Sequence, residues 1–370
     1  MSKLRIPVSF ADIDSAWVNG VFEACRSSAE QAPRHACAPL RAEPMVASIA
    51  LERVGVGTGF MSSLTRVYIE SKNDKIPSSI VVKLCAQDKQ ARDLATAFNS
   101  YRNEVGFYAN YAQLVPVLVP RCYAHALDGD RFVLVLEDLH EHRAGNQVAG
   151  ATAADVISCV EAMAELHGAF WNSAPSAMAS MRKSSAVAHA GLAELIEQAL
   201  AVTEVAVSEA LAQFLCAYTR TPLVQGFVER YGVSLVHTDF RLDNLFFHAS
   251  NGQVIVLDWQ DVCAGAPAFD LAHFLMSNVN PGLRKRVEYD AVSAYQRRLN
   301  GTFNNAMSLS DVWDAYRCYM PMALYIPALI AVRAQSTDTG AELGRTVMHR
   351  AVAALEFHLD AIVQLNEHVH

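Results

Sequence analysis

The chain has 370 residues, of which 52% are hydrophobic and 18% charged, with a formal net charge of −8. It is too apolar for a disordered chain, and its length suits two domains or a single two-lobed enzyme. The excess of acid argues against nucleic acid as a partner, because that class binds by neutralising phosphates.

In chain order, a helix is expected from Ile13 to Cys25, with Asp12 able to cap it and Trp17, Val21 and Phe22 as its apolar stripe. Lys3 and Arg5 are followed by Asp12 and Asp14 before an apolar stretch forms, so no signal peptide is expected. Ser27 to Pro44 lacks periodicity and reads as a connector. Ser48–Val54, Leu64–Ile69, Ser79–Leu84 and Arg131–Leu136 read as strands, with the glycine-rich turn Gly55-Val-Gly-Thr-Gly59 after the first. Leu94, Phe98, Tyr101, Val105, Tyr108 and Ala112 recur at three- and four-residue steps and predict one helix over Ala91–Gln113. Beyond about residue 145 the pattern is mainly helical, starting with the stripe Val156, Val160, Met163, His167 and Phe170. Two short apolar runs, Val233–Val236 and Val254–Leu257, flank a polar loop.

The longest apolar run, Cys318 to Val332, is shorter than the roughly 18–20 residues of a spanning helix and contains Pro321 and Pro327. A buried, proline-kinked core helix is therefore expected, and no membrane association. The eight cysteines are scattered with no CxxC pairing, which fits reduced thiols in a cytoplasmic protein rather than a zinc or disulfide framework.

The polar loop reads His237-Thr-Asp239-Phe-Arg241-Leu-Asp-Asn244, and the strand after it ends in Asp258-Trp-Gln260. Carboxylates and an amide at strand ends suit a metal–phosphate site, since Mg²⁺ takes a few protein oxygens together with phosphate oxygens. Asp258 and Asn244 fit as metal ligands. Asp239 is then left to orient or deprotonate an attacking hydroxyl, and Arg241 to reach a transferring phosphoryl group.

Upstream stand the glycines Gly55, Gly57 and Gly59, a strand lysine, Lys83, and a helix glutamate, Glu104. Taken singly, each has a plain structural role: a hairpin, a snorkelling edge lysine, a boundary carboxylate. A carboxylate near an apolar helix face wants a cation, and Lys83 is the obvious one. The order of the parts, from glycine turn to strand-final aspartate, is what points to phosphoryl transfer. His167 reads as a satisfied core histidine and His248 as a surface residue. The stripe of Tyr316, Tyr319, Met320, Met322 and Tyr325 reads as core that could also line an acceptor pocket.

This order resembles the protein-kinase-like fold and, within it, the aminoglycoside phosphotransferase and choline kinase superfamily. His237–Asn244 is similar to that superfamily's HGDxxxxN loop, with Thr238 where glycine is usual, and Gly265-Ala-Pro-Ala-Phe-Asp270-Leu-Ala is similar to the element that follows it. Glu104–Tyr108, Leu134–Leu139 and Leu166–Trp171 resemble the ecdysteroid-kinase-like branch. The resemblance implies an α+β, two-lobed fold: an N-terminal helical extension (1–44), a nucleotide-binding lobe (45–139) and a mainly helical lobe with the catalytic loop and acceptor site (140–370).

It further implies ATP and Mg²⁺ as cofactors, Lys83 on the α- and β-phosphates with Glu104 holding it, and Asp239 as the base. Asn244 and Asp258 become the metal ligands, Glu137 and Leu139 the hinge whose backbone meets adenine, and Asp270 a brace of the catalytic loop. Only eleven residues separate Asp258 from Asp270 and no APE follows, so a small-molecule hydroxyl is expected as acceptor rather than a protein. The aromatic and aliphatic stretch 311–333 favours a rather apolar alcohol. A choline- or aminoglycoside-type kinase and a catalytically silent nucleotide-binding scaffold stay open as alternatives.

Overall fold

The computed structural model describes residues 4–29, 46–54, 61–174, 191–220, 231–303 and 307–367. These fall into two compact units, Met1–Val115 with Val119–Glu141, and Pro116–Leu118 with His142–His370.

In the first unit, helix α1 (Ser15–Ala29) follows a single 3-10 turn, Phe10–Asp12. Asp14, rather than the expected Asp12, caps α1 by accepting the Trp17 amide at 2.7 Å, because the Asp12 carboxylate is taken by the amides of Val8 and Ser9. Strands β1 (Val46–Val54), β2 (Ser62–Ser71), β3 (Ser79–Cys85), β4 (Cys122–Asp128) and β5 (Arg131–Glu137) form one antiparallel sheet in the order β1-β2-β3-β5-β4. Strand β4 is not anticipated from its residues, which carry neither a β-branched run nor clean alternation.

Alternation along the strands sorts side chains onto two faces. Val67, Ile69, Ile80, Val82, Leu84, Val133 and Val135 pack with Ile13, Trp17, Val18, Val21 and Phe22 into one core. Lys83, paired with Leu64 and Leu134 across the ladders, projects from the opposite face. The helix expected over Ala91–Gln113 is two helices, α2 (Lys89–Ala97) and α3 (Ser100–Asn110). They break at Asn99, whose φ of 56° lies in the left-handed region that asparagine tolerates better than most residues.

The second unit is mainly helical. After the short strand β6 (Arg143–Ala144) come α4 (Ala153–Ala169), α5 (Leu192–Thr203) and α6 (Glu209–Tyr218). The short strands β7 (Ser234–Val236), β8 (Leu245–Phe247), β9 (Val254–Val256) and β10 (Cys263–Gly265) then interrupt the helices. The two apolar runs flanking the polar loop belong to separate ladders: β7 pairs with β10, while β9 joins the three-stranded β6-β8-β9.

Among the described residues, five helices follow: α7 (Pro267–Asn278), α8 (Pro281–Phe303), α9 (Leu309–Ala323), α10 (Tyr325–Arg333) and α11 (Asp338–Glu367). Leu309–Ser336 is long and apolar enough to cross a membrane, yet most of it is buried inside the unit. Tyr316, Tyr319, Met320, Met322, Ala323, Leu324 and Ala328 are all core residues, while Tyr325 is only partly covered. Pro321 lies inside α9, and α9 passes into α10 at Leu324, whose backbone stays helical.

Candidate active site

In the first unit, Lys83 and Glu104 form a buried ion pair, Nζ to Oε1 at 2.7 Å, with side-chain exposures of 5% and 1%. The β3 ladder presents the lysine, and the first two turns of α3 present the carboxylate. Tyr101 of the same helix stacks on Phe132 of β5, which fixes the helix against that face of the sheet. At the end of β5, Glu137 turns back on Arg121: its amide donates to the Arg121 carbonyl at 2.8 Å, and its carboxylate accepts the Arg121 amide at 3.1 Å. Leu139 is buried, and neither its amide nor its carbonyl has a hydrogen-bond partner among the described residues. Gly55, Gly57 and Gly59 lie outside the described residues.

In the second unit, the loop after β7 is gripped by one carboxylate. Asp270, in the first turn of α7, is wholly buried and accepts the amides of His237 at 2.7 Å and Thr238 at 2.8 Å. His167 of α4 adds a third bond through Nε2 at 3.2 Å, while its Nδ1 pairs with the Tyr295 hydroxyl at 2.8 Å. Burial opposes the negative charge on Asp270, but these donors more than offset it and hold the carboxyl below the ordinary aspartate range. His167 is thus a satisfied core histidine, as expected, whose partner Asp270 grips the loop after β7.

Thr238 has φ of 65°, a region costly for a β-branched residue. Two bonds hold it there: the amide bond to Asp270 and a hydroxyl bond to the Asp261 carbonyl at 2.8 Å. Thr238 thus keeps the loop in a left-handed turn and adds a tether to segment 259–261. His237 donates Nε2–H to the Leu257 carbonyl at 2.9 Å and packs edge-on against Trp259 and Phe240. Segment 257–259 is thereby fastened to the loop.

The Asp239 carboxylate is oriented through one oxygen. Oδ2 accepts Arg241 Nε at 3.1 Å and Asn244 Nδ2 at 2.9 Å, and Asn244 Nδ2 also reaches the Asp239 carbonyl at 3.0 Å. Oδ1 is buried and has no partner among the described residues. Arg241 is mostly buried and also donates Nη1 to Gln147 Oε1 and to Asp243 Oδ2. Burial alone would lower its pKa, but the carboxylates of Asp239 and Asp243 raise it above the ordinary value. The arginine expected to face a phosphoryl group is therefore also a clasp between Asp239 and its own loop.

Asn244 and Asp258 stand at one end of the same ladder. Leu245 pairs with Val256, and the Leu257 amide donates to the Asn244 carbonyl at 2.9 Å. Asp258 itself sits at φ 61°, ψ 66°, in the left-handed region. Asn244 Nδ2 is turned to Asp239, so Asn244 keeps an amide oxygen and Asp258 a carboxylate, both oxygens of the hard kind that Mg²⁺ takes.

Four contributors to this loop carry no motif. Gln147 donates its amide to Asp243 Oδ1 at 2.8 Å, and Asn278 Oδ1 accepts the Leu242 amide at 2.9 Å. Gly145 runs so close to Leu242 that a Cβ there would lie 2.2 Å from the Leu242 carbonyl oxygen, which excludes every other residue. His273, one turn beyond Asp270, is fully buried with neither ring nitrogen partnered among the described residues, and burial pushes its pKa down to about 4. None of them carries a signal in the sequence: one is a glycine among eighteen, and the others are polar residues of ordinary loops and helices.

A family model described as the ecdysteroid kinase-like family matches residues 56–307. Solved structures with the same fold include an ethanolamine kinase from Plasmodium vivax, with TM-score 0.52, 12% identity and coverage of 83% of this chain and 82% of that one. A choline kinase from Cryptosporidium parvum has TM-score 0.52 and 11% identity, covering 95% and 99%. An aminoglycoside 2′-phosphotransferase in complex with GDP has TM-score 0.50 and 14% identity, covering 84% and 94%. A 42-residue stretch is 55% identical to acyl-CoA dehydrogenase family member 11 of Pongo abelii and of Homo sapiens. That stretch is 11% of this chain and only 5% of the length of those relatives.

Proposed function

Because the chain belongs to the ecdysteroid kinase-like family, we propose that it is a small-molecule kinase that moves the γ-phosphoryl group of ATP to an alcohol. The observation that carries this reading is the Asp239 carboxylate, with Oδ2 fixed by Arg241 and Asn244 and Oδ1 buried without a donor among the described residues. A base held through one oxygen keeps the other aimed, and its next proton donor is the acceptor hydroxyl. As that proton passes to Oδ1, the acceptor oxygen bonds to the γ-phosphorus, the bond to the β,γ-bridging oxygen breaks, and ADP leaves. Arg241, charged and fixed in the loop, stabilises the charge that builds on the transferring group.

In this reading 1–44 is an extension, 45–139 binds nucleotide, and 140–370 carries the base and the acceptor. Lys83, kept charged and extended by Glu104, contacts the α- and β-phosphates. The backbone of Glu137 and Leu139 receives adenine, supported by the Leu139 amide and carbonyl, which have no partner among the described residues. Asn244 and Asp258 would hold Mg²⁺, which supplies charge neutralisation to the phosphates when bound. The acceptor is a rather apolar alcohol, steroid-like or lipid-like. Of the acidic residues at the start of 311–333, Asp311 is committed to the N-terminal cap of α9 with Ser308, which weakens a cation-binding alternative. A cytoplasmic location and a small-molecule partner complete the proposal.

The test is incubation with γ-labelled ATP, Mg²⁺ and a panel of hydroxylated small molecules. Transfer to an apolar alcohol is expected, with loss of about a thousandfold or more in Asp239→Ala and Asp258→Ala. Full turnover in either variant would sink the mechanism. Nucleotide binding with no transfer or hydrolysis would favour a silent scaffold.

A further inference from the structure

The helix that closes the chain carries an arginine with an unusual set of partners. Arg350 of α11 is 3% exposed, and no carboxylate lies within ion-pair distance of it among the described residues. All five of its N–H groups are used on neutral acceptors. Nε and Nη2 donate to Asn280 Oδ1 at 3.0 and 2.6 Å. Nη1 donates to the carbonyls of Gln147 at 2.5 Å and Ser277 at 3.5 Å, and Nη2 also donates to the Val148 carbonyl at 2.8 Å. A buried cation without an anion is costly, and an apolar side chain of similar volume would usually be the more stable choice.

What those acceptors have in common is the catalytic loop. Segment 147–148 holds the loop through the Gln147 amide on Asp243 and through Gln147 Oε1 on Arg241. Segment 277–280 holds it through Asn278 Oδ1 on the Leu242 amide. The two segments touch each other through the Ala151 amide on the Asn278 carbonyl and through Asn280 Nδ2 on the Ala149 carbonyl. Arg350 spans both, and Gly150 leaves it room: a Cβ there would lie 2.9 Å from Nη2. Three consecutive loop residues, Arg241 to Asp243, are thus held by two strips of chain that one planar guanidinium fastens together.

We propose that Arg350 is a positioning residue for phosphoryl transfer, acting on Arg241 and Asp243 through Gln147 and on Leu242 through Asn278. The proposal rests on the phosphotransferase reading for its catalytic consequence, but the clamp itself has a separate readout. Lysine keeps the charge but cannot reproduce a planar fork of five donors, so Arg350→Lys loosens the strips without emptying the site. Misplacement of Arg241 acts on the transition state, so kcat falls while the KM for ATP holds.

The experiment measures Mg²⁺-dependent ATP turnover, melting temperature and backbone amide exchange in the wild type, Arg350→Lys, Gln147→Leu, the double variant and Arg284→Lys. Arg284 is the control: it is equally buried, but its side chain contacts Glu288 and the Ala353 carbonyl. Arg350→Lys is expected to lower kcat by about tenfold with KM for ATP within about twofold, and to speed exchange at residues 242–244. The double variant should lose no more than the worse single variant, because both act along one route. Arg284→Lys should lower the melting temperature while leaving kcat and loop exchange at wild-type values. Wild-type kcat and unchanged loop exchange in Arg350→Lys would overturn the proposal. A wild-type protein with no turnover would overturn the phosphotransferase reading, and loop exchange would then still decide whether Arg350 is the clamp.

Discussion

Two buried charged sites, one in each unit, are satisfied in different ways. In the first, Lys83 and Glu104 neutralise each other directly, side chain to side chain, from a strand and a helix 21 residues apart. In the second, Asp270 draws on main-chain amides and a histidine, and Arg350 on carbonyls and an amide side chain. A pair of opposite charges needs only two regular elements to bring it together. A charge satisfied by backbone groups needs those peptides held at fixed angles, and so freezes an irregular loop. The first arrangement suits a single cation held in an extended pose; the second suits several groups that must keep their mutual geometry.

The largest effect should come from breaking the pair on one side only. Lys83→Met takes the ammonium away from the buried Glu104 carboxylate and should destabilise by about 3–5 kcal/mol, read by denaturant unfolding. Changing both, as Lys83→Met with Glu104→Leu, should recover most of that loss. If the double variant is as unstable as Lys83→Met, the buried pair is not the direct two-body contact described here.

The loop should respond differently, and pH separates its components. The buried His273 stays neutral in the folded state down to about pH 4, whereas in the unfolded chain it takes up a proton near 6.5. Between those values the unfolded state binds more protons, so stability falls as pH drops from 6.5 towards 4, by about 3 kcal/mol at most. Asp270 acts lower. Its folded pKa is depressed, so its contribution is complete above about 3.8 and is lost as pH falls further. His273→Phe should flatten the stability profile from pH 6.5 to 4 and leave the steeper loss below it. An unchanged slope in that window would show that the imidazole is not held neutral.

The same contrast explains what was legible in the amino-acid sequence. Extended, alternating or continuously apolar runs marked β1, β2, β3 and β5, and the order of Lys83, Glu104, Asp239, Asn244 and Asp258 marked the fold, because each is a side chain on a strand, a helix or a loop of fixed length. The Asp270 brace was legible only through family resemblance. Gln147, Asn278 and Arg350 were not legible at all: their bonds join residues 94, 36 and 203 positions apart, and many of the partners are main-chain atoms that every residue carries. The break at Asn99 was hidden for another reason. The apolar stripe continues across it, so periodicity alone extends the helix through a left-handed residue.

The smallest and sharpest test concerns Thr238. A β-branched residue at φ 65° carries strain of about 1–2 kcal/mol, which glycine would not. Against that stands the hydroxyl bond to the Asp261 carbonyl, which contributes about 1 kcal/mol and is lost in either Thr238→Gly or Thr238→Ala. Glycine relieves the strain but also gives the unfolded chain about 0.4–1 kcal/mol more conformational freedom, so Thr238→Gly should be close to neutral. Alanine keeps most of the strain and loses the bond, so Thr238→Ala should be less stable than Thr238→Gly by roughly 0.5–1 kcal/mol, the reverse of the order at ordinary backbone angles. Thermal unfolding of the two variants side by side reads that order. Alanine the more stable would mean that the loop relaxes out of the left-handed turn once the hydroxyl is gone, and that the tether to Asp261, rather than the Asp270 carboxylate, sets the backbone of the catalytic loop.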